Sequence, residues 1–552
     1  MPGILHPLDG IVYTAPERAA FYFKTGAWID RTIGGQLRDI ASRYPDRAAF
    51  ICEGRTITFR AIDEWSDQLG ALLMQRGLRV NDRAMFQMGT VIETAVALCA
   101  CYKAGVLPVC TIPQYRDIEI SKLAAVTEPR GYFVQADFDP KFDLADFAKR
   151  MCGACAIPHL FVARAGAADD PWQAARSIPL ADARKLLAGI GPGSEDVCAM
   201  QLSGGSTGVP KVIPRHHAEY LGHAFHWSEK LGMTADDIGL WALPILHNAG
   251  MLWGFLRTIL YGSTAVLMPR FEVRQFFELI QAHKVTHCFT IGPLVPAIVG
   301  FADVEKFDSR SVKFFYTLQG AEQIERRTGF TSSNMFGITE GLLLQGRATD
   351  PIAMRHLTVG SVNAPWDEVR LKTPDGVDDV PLGEVGELCF RGPSSLRAYY
   401  NAPEANATAF TPDGFFRTGD LMSAHVFGAQ LAYRFEGRMR DNINRGGEKF
   451  GTEELEQLMV QHPAIADGKV VAMPDPVFGE KACAFLVAKP GATLPTVMEL
   501  GDYLSNNGLA KYKLPERIER IDSFPVTRVG KLDRARLRAI VAEKMGAEGK
   551  EK

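Results

Sequence analysis

Glycines, hydroxyl residues and a lysine are concentrated in one stretch of the chain, Leu202-Ser203-Gly204-Gly205-Ser206-Thr207-Gly208-Val209-Pro210-Lys211. Glycines let the backbone approach a ligand closely and expose its N–H groups. The hydroxyls add neutral donors, and Lys211 adds a point positive charge. Together these groups predict a clamp for the polyphosphate of a nucleotide.

Two known motifs and a flexible turn without a ligand compete with the phosphate clamp. A Walker P-loop ends in Gly-Lys-Ser/Thr, whereas Pro210 precedes Lys211 and no hydroxyl residue follows it. Gly204–Gly208 formally fits the nucleophile elbow of a serine hydrolase, with Ser206 as nucleophile. An elbow continues directly into a helix, and Pro210 and Pro214 disfavour one. A strand–loop–strand hairpin is therefore favoured, and the hydrolase stays as an alternative from another class.

Three short segments further along could complete a nucleotide site. Gly337-Ile338-Thr339-Glu340 offers a backbone N–H, a hydroxyl and a carboxylate, which suits a magnesium–phosphate complex. Thr418-Gly419-Asp420 places a carboxylate in a tight turn, where it could bind two ribose hydroxyls. Pro525–Lys531 ends in a lysine near the C-terminus. Each segment is a weak signal alone, and their order and spacing carry the argument.

The apolar pattern predicts the elements that must position these groups. Helices are predicted around residues 62–73 and 91–102, and strands over 84–86, 106–110, 265–268, 286–290 and 314–318. This β-α-β alternation indicates an α/β fold, with parallel-rich sheets layered with helices in a large N-terminal domain. After residue 380 the strands predict a smaller β-rich subdomain. The charged, glycine-flanked segment 437–447 marks a boundary, which divides the chain into residues 1–439 and a small, mobile α+β domain of residues 440–552.

Composition excludes several classes of protein. A net charge of −3 gives no reason to expect a nucleic acid or an anionic membrane as partner. The longest apolar stretch, residues 241–256, is too short and too polar to span a membrane. The N-terminus lacks the features of a signal peptide, and the 10 cysteines have no framework spacing. We expect a cytoplasmic protein with reduced thiols, and a homodimer is the default expectation for its oligomeric state.

Over residues 30–545 the chain resembles the adenylate-forming superfamily of acyl-CoA synthetases, luciferases and nonribosomal adenylation domains. Within it, the chain is most similar to aryl acid activating enzymes such as 2,3-dihydroxybenzoate–AMP ligases. The segments that carry this similarity are Gln201–Gly208, Ile213–Arg215, Leu243–Asn248 and Asn442–Lys449. The resemblance implies two half-reactions: a carboxylate attacks Mg·ATP to form an acyl adenylate, and a thiol then displaces AMP.

The resemblance also implies roles for individual residues. Lys531, Thr339, Glu340 and His247 would be catalytic, with Glu340 also binding Mg²⁺ and Lys531 bridging the carboxylate and the α-phosphate. Arg440 would be the hinge about which the C-terminal domain swings, moving Lys531 out and Gly446–Lys449 in. The residues implied to bind the nucleotide are Ser203, Gly204, Gly205, Ser206, Thr207, Gly208, Lys211, Gly320, Ala321, Glu322, Phe336, Gly337, Ile338, Asp420 and Arg438.

The acid pocket is implied by the segment after Leu243-Pro244. His247 would be its gate, and Asn248 matches an asparagine that hydrogen-bonds an ortho hydroxyl. Catechol-acid activators carry a small polar residue five positions later, where this chain has Trp253. We expect Trp253 to fill the space of a 3-hydroxyl, which favours salicylate, anthranilate, benzoate or an alicyclic acid. The segment 320–336 is shorter than in related enzymes, with room for about two helical turns.

We therefore expect an ATP-dependent acid–thiol ligase, AMP-forming, for a small aromatic acid. Its implied cofactors are ATP, Mg²⁺ and coenzyme A, or the phosphopantetheine of a carrier protein. An aryl acid–CoA ligase is the leading form, because no carrier domain is fused to the chain. A stand-alone aryl acid–AMP ligase that loads a carrier protein in siderophore-type biosynthesis is the close alternative. A non-catalytic nucleotide-binding protein is disfavoured by the joint presence of Glu340, Asp420 and Lys531.

Overall fold

The computed structural model describes residues 3–166, 170–203, 210–291, 294–373, 376–439, 443–525 and 532–548. The strands, numbered in chain order, are β1 Ala48–Cys52, β2 Arg55–Thr58, β3 Arg83–Gln87, β4 Leu107–Val109, β5 Gly131–Gln135, β6 His159–Ala163, β7 Val197–Ser203, β8 Lys211–His216, β9 Ile238–Trp241, β10 Thr264–Leu267, β11 His287–Thr290, β12 Phe314–Thr317, β13 Ser332–Gly337, β14 Leu343–Gln345, β15 Ser361–Val362, β16 Glu368–Lys372, β17 Val385–Arg391, β18 Phe416–Phe427, β19 Gln430–Arg438, β20 Ile443–Arg445, β21 Glu448–Phe450, β22 Ile465–Asp475, β23 Gly479–Ala488 and β24 Arg517–Arg520.

The helices follow the same numbering. They are α1 Pro16–Thr25, α2 Ile33–Arg43, α3 Phe59–Gln75, α4 Ile92–Ala104, α5 Asp117–Thr127, α6 Leu144–Ala154, α7 Pro171–Ala175, α8 Leu180–Ala188, α9 His217–Lys230, α10 Arg257–Tyr261, α11 Val273–His283, α12 Val295–Val299, α13 Ala321–Thr328, α14 Ile352–Leu357, α15 Pro403–Asn406, α16 Glu453–Met459, α17 Val497–Asn506 and α18 Arg534–Glu548. A π-helix spans Gly250–Leu256, and short 3₁₀ turns span Val304–Lys306 and Lys511–Lys513. Among the described residues, no helix is both long enough and apolar enough to cross a membrane.

Two large sheets form the N-terminal part, and the parallel-rich α/β fold is confirmed. One sheet has the order β6-β5-β3-β4-β7-β8, and the other β15-β14-β13-β12-β11-β9-β10-β1-β2. The central strands of both sheets run parallel. Strands such as β5 and β11 are buried at every position, because helices cover both faces of a parallel sheet. Helix α4 is buried along its whole length, within the core cluster that joins the two sheets.

The chain on either side of the glycine-rich stretch forms a hairpin. β7 and β8 pair antiparallel, and their last register pair is Ser203 with Lys211. Lys211–His216 is therefore a strand, as predicted, and no helix follows the glycines as a nucleophile elbow requires. The hairpin brings Ser203 and Lys211 side by side at the end next to the glycine-rich stretch.

Two smaller antiparallel-rich sheets follow. β16–β19 form a four-stranded sheet, which is the predicted β-rich subdomain. β20–β24 form a five-stranded sheet that packs with α16, α17 and α18. The predicted division between residues 439 and 440 falls beside residues 440–442, which lie outside the described ranges, so it stays a prediction.

The five-stranded sheet and its helices contact the N-terminal part through α5. Lys513 lies 2.6 Å from Glu119 of α5 and 2.7 Å from Glu454 of α16, and all three side chains are buried. Lys122 makes a second ion pair with Glu454, at 3.1 Å, from an exposed position. These contacts, which we call the α5 interface, fix how the C-terminal sheet sits over the N-terminal part.

Candidate active site

A cavity of about 490 Å³ opens where the two large sheets, the four-stranded sheet and the C-terminal sheet meet. Its walls come from strand ends and turns far apart in the sequence. Its lining includes Ser203, Lys211, Trp241, His247, Asn248, Phe289, Met335, Gly337, Ile338, Thr339, Glu340, Leu343, Glu387, Tyr399, Arg417, Thr418, Gly419, Asp420, Gly446, Gly447, Glu448 and Lys449. The structure thus brings together most of the predicted site residues that it describes.

The turn between β13 and β14 carries Thr339 and Glu340. The backbone N–H of Ile338 donates to Leu342, and Gly341 closes the turn with φ +122°. A Cβ at Gly341 would lie 1.7 Å from the carbonyl oxygen of Ser394, so only glycine fits. The turn presents Thr339 and Glu340 to the cavity from a rigid backbone.

A tyrosine links the two charged groups at this end of the cavity. The hydroxyl of Tyr399 donates to Oε1 of Glu340 at 2.7 Å, and the Nζ of Lys211 lies 4.8 Å from the centre of the Tyr399 ring. A carboxylate oxygen is the ligand type that Mg²⁺ prefers, and an ammonium group complements phosphate oxygens. Lys211 and Glu340 therefore fit the opposite charges of a magnesium–triphosphate, and Glu340 would hold the metal.

The turn at Asp420 is organised by a buried glutamate. Glu387 of β17 accepts from the backbone N–H of Gly419 at 3.1 Å and binds Arg417 through its other oxygen. The backbone N–H of Asp420 donates to the hydroxyl of Thr418. These bonds order the turn that places Asp420 at the cavity wall, which is compatible with its predicted role in binding two ribose hydroxyls.

Apolar side chains surround the other end of the cavity. Trp241 ends β9, Phe289 lies on β11, and Met335 and Leu343 come from β13 and β14. All four are also members of the main hydrophobic core. Asn248 is the polar residue that enters this wall. An apolar slot with few polar groups suits a small aromatic ring.

His247 connects this end of the cavity to the C-terminal sheet. Its Nε2 lies 3.3 Å from Oε1 of Glu448, which follows the paired glycines Gly446 and Gly447. Burial alone would lower the pKa of His247, but the charge and hydrogen bond of Glu448 outweigh burial and raise it. The Gly446–Lys449 segment therefore lies in the cavity and contacts the predicted gate residue.

Five predicted site residues do not line this cavity in the described structure. Gly320, Ala321 and Glu322 begin α13, with Glu322 turned to solvent and paired to Arg326. The segment forms a helix of eight residues, a little over two turns, and Leu318 before it lines the cavity instead.

The other two of these residues are aromatic. Phe336 is stacked on Phe435, 6.3 Å away, because successive residues of β13 point to opposite faces of the sheet. Trp253 lies behind Trp241, with their ring centres 5.6 Å apart, and is 1% exposed. The wall that we expected from Trp253 is formed by Trp241.

Several predicted residues lie outside the described ranges. These are the loop residues Gly204, Gly205, Ser206, Thr207 and Gly208, the hinge residue Arg440 and the catalytic lysine Lys531. The backbone of Arg438 pairs with Asp420 across β18 and β19, and its side chain is not described. Their roles stay predictions.

Sequence reasoning missed three residues that the cavity requires. Tyr399 and Glu387 act on Glu340 and Gly419 from distant parts of the chain, and no local pattern marks either of them. Trp241 could have been found, because it is the last residue of a buried strand that precedes the Leu243–Asn248 segment, and ligands bind beyond the carboxyl ends of parallel strands.

A hairpin with Ser203 and Lys211, a carboxylate turn and an aspartate turn meet around one cavity, as expected for an adenylate-forming enzyme. The chain belongs to the AMP-binding enzyme family. Its family model matches residues 37–400, and the model of the AMP-binding enzyme C-terminal domain matches residues 454–531.

Individual relatives match over almost their whole length. The chain is 34% identical to a 2,3-dihydroxybenzoate-AMP ligase of Bacillus subtilis, covering 98% of this chain and 99% of the relative. It is 33% identical to a salicyl-AMP ligase/salicyl-S-ArCP synthetase of Mycobacterium tuberculosis, covering 97% and 95%. Among solved structures, apo MbtA of Mycobacterium smegmatis is similar with a TM-score of 0.71 and 30% identity, covering 96% and 98%.

Proposed function

We propose that this protein activates a small aromatic carboxylic acid with Mg·ATP and then loads it on the phosphopantetheine thiol of a carrier protein. One observation carries the proposal: Lys211, Thr339, Glu340 and Asp420 share a single cavity with an apolar slot that ends at Asn248. A nucleotide and a ring-bearing acid can therefore lie in contact there.

The charged end of the cavity suits the first half-reaction. A carboxylate oxygen of the acid attacks the α-phosphorus, and the bond to pyrophosphate breaks. Lys211 and the metal held by Glu340 would offset the charge of the phosphates, Thr339 would contact the α-phosphate, and Asp420 would fix the ribose. Lys531 is expected to bridge the acid and the α-phosphate, so its loss should lower the adenylation rate by about 10²–10³-fold.

The position of the Gly446–Lys449 segment suits the second half-reaction. With this segment against His247, the sulfur of a thiol would attack the acyl carbonyl, and AMP would leave. Transfer to a carrier protein replaces our leading expectation of a CoA ligase, because the relatives described above are named AMP ligases and one of them an S-ArCP synthetase.

A panel of acids tests the proposal. Pyrophosphate release is measured with salicylate, 2,3-dihydroxybenzoate, anthranilate, benzoate and a fatty acid, and thioester formation with an aryl carrier protein or CoA as acceptor. We expect release with an aryl acid, loss of release in Glu340→Gln, and acylation of the carrier protein. Labelling of Ser206 by a fluorophosphonate without any need for ATP would instead indicate the hydrolase.

A further inference from the structure

A hydrogen-bond relay of three buried side chains ends at the acid slot. Nε2 of Gln201, on β7, donates to the hydroxyl of Tyr220, on α9, at 3.1 Å. That hydroxyl in turn donates to Oδ1 of Asn248 at 2.8 Å. The exposed fractions are 1% for Gln201, 0% for Tyr220 and 6% for Asn248. Water therefore cannot readily replace these bonds.

The donors and acceptors of this relay run in one direction, from Gln201 to Asn248, and this direction sets the orientation of the Asn248 amide. A tyrosine hydroxyl carries one proton, and because its oxygen accepts from Gln201, that proton is directed to Asn248. The carbonyl side of the Asn248 amide is then occupied. Its Nδ2 forms no hydrogen bond with the residues that the structure describes, although Asn248 lines the cavity. The cavity wall therefore presents an N–H donor.

Tyr220 is itself held in place. The guanidinium carbon of Arg215 lies 4.7 Å from the centre of the Tyr220 ring. Arg215 also pairs with Glu219, the residue before Tyr220 in α9, and donates to the backbone carbonyl of Thr339 at 3.2 Å. The orientation of the amide is thus tied to the turn that carries Thr339.

A donor at this position discriminates between ring substituents. A phenolic oxygen beside the carboxylate accepts the Nδ2 hydrogen bond. An aromatic amine presents N–H groups, and its lone pair is delocalised into the ring, so it accepts poorly. An unsubstituted ring leaves the donor without a partner, which costs roughly tenfold in binding.

We propose that Tyr220 is a positioning residue that, supported by Gln201, fixes the Asn248 amide as a donor and so selects acids with an oxygen acceptor next to the carboxylate. This inference rests on the proposed function and narrows its substrate class to salicylate-type acids over anthranilate and benzoate.

The test compares kcat/KM for pyrophosphate release with salicylate, anthranilate and benzoate in the wild type and in Tyr220→Phe. Tyr316→Phe is the matched control, because Tyr316 is also buried and its hydroxyl has no hydrogen-bond partner among the described residues. Wild type and control should prefer salicylate to benzoate by roughly tenfold. In Tyr220→Phe the preference for salicylate over benzoate should fall below about threefold. The kcat/KM for salicylate should fall, and the kcat/KM for benzoate should stay unchanged.

Gln201→Leu is the second variant, in case Tyr220→Phe does not fold. It leaves the tyrosine hydroxyl free to turn and should give an intermediate preference. A wild-type preference for anthranilate would overturn the proposal. It would mean that the hydrogen bonds of the relay run in the opposite direction, so that Asn248 presents Oδ1 to the cavity as an acceptor. An unchanged salicylate preference in a folded Tyr220→Phe, or in Gln201→Leu if Tyr220→Phe fails to fold, would overturn it too. Release with no aryl acid at all would instead overturn the proposed function, and this inference with it.

Discussion

The α5 interface offers a sharp test of how the C-terminal sheet is held over the cavity. Glu119→Gln removes the carboxylate that α5 places against Lys513, while glutamine keeps an oxygen for the backbone N–H of Arg116. The side chains of Glu119 and Lys513 are 0% and 1% exposed. Breaking such a buried pair costs about 3–5 kcal/mol. Because Lys513 keeps its ion pair with Glu454, we expect a cost at the lower end of this range. Such a cost lowers the ratio of docked to undocked C-terminal sheet by roughly 10²-fold.

Amide hydrogen exchange over residues 443–450 and 117–127 measures this ratio. Lys122→Met is the control, because it removes another ion pair to Glu454 across the same interface, but with Lys122 51% exposed. The control should change exchange by less than about fivefold. Glu119→Gln should also slow thioester formation more than pyrophosphate release, because docking places Gly446–Lys449 in the cavity. Equal exchange in the two variants, with equal thermal stability, would refute the reasoning.

Three further predictions concern the cavity itself. Tyr399→Phe should raise the Mg²⁺ concentration needed for pyrophosphate release by roughly tenfold, since the bond to the charged Glu340 is lost; a magnesium titration measures this. The pKa of His247 is raised by Glu448, so their contact should favour docking at low pH and be lost as pH rises through that pKa. Hydrogen exchange against pH should show this loss in the wild type and none in Glu448→Gln. Trp241→Ala should lower stability by about 3–5 kcal/mol in denaturant unfolding and admit bulkier acids.

The strands and the hairpin could be predicted because their signals are local. Buried parallel strands appear as short apolar runs between turns, and the prolines around Lys211 exclude a helix after the glycines. Backbone sterics and burial pattern determine these features over fewer than ten residues. The segment at Thr339 could be singled out only by its residue types, because no strand was predicted directly before it.

The acid wall could not be predicted in the same way. Trp253 lies within the π-helix Gly250–Leu256, whose wider turn shifts the direction of side chains relative to an α-helix. Its ring packs against β9, where a Cβ at Gly239 would come within 2.7 Å of it. Counting five positions from Asn248 therefore gave the wrong face. Tyr399 and Glu387 reach their partners only through tertiary packing.

The side chains that line the apolar slot also contribute to the stability of the fold. Trp241, Phe289, Met335 and Leu343 line the slot and also belong to the main core, so they sit on rigid strands. Any mutation that reshapes the slot therefore also removes or adds side-chain volume in the main hydrophobic core, which lowers stability. Evolution or engineering toward a different acid must therefore begin from a protein whose stability exceeds what folding requires. Substrate specificity should change more slowly here than in enzymes that select substrates with surface loops.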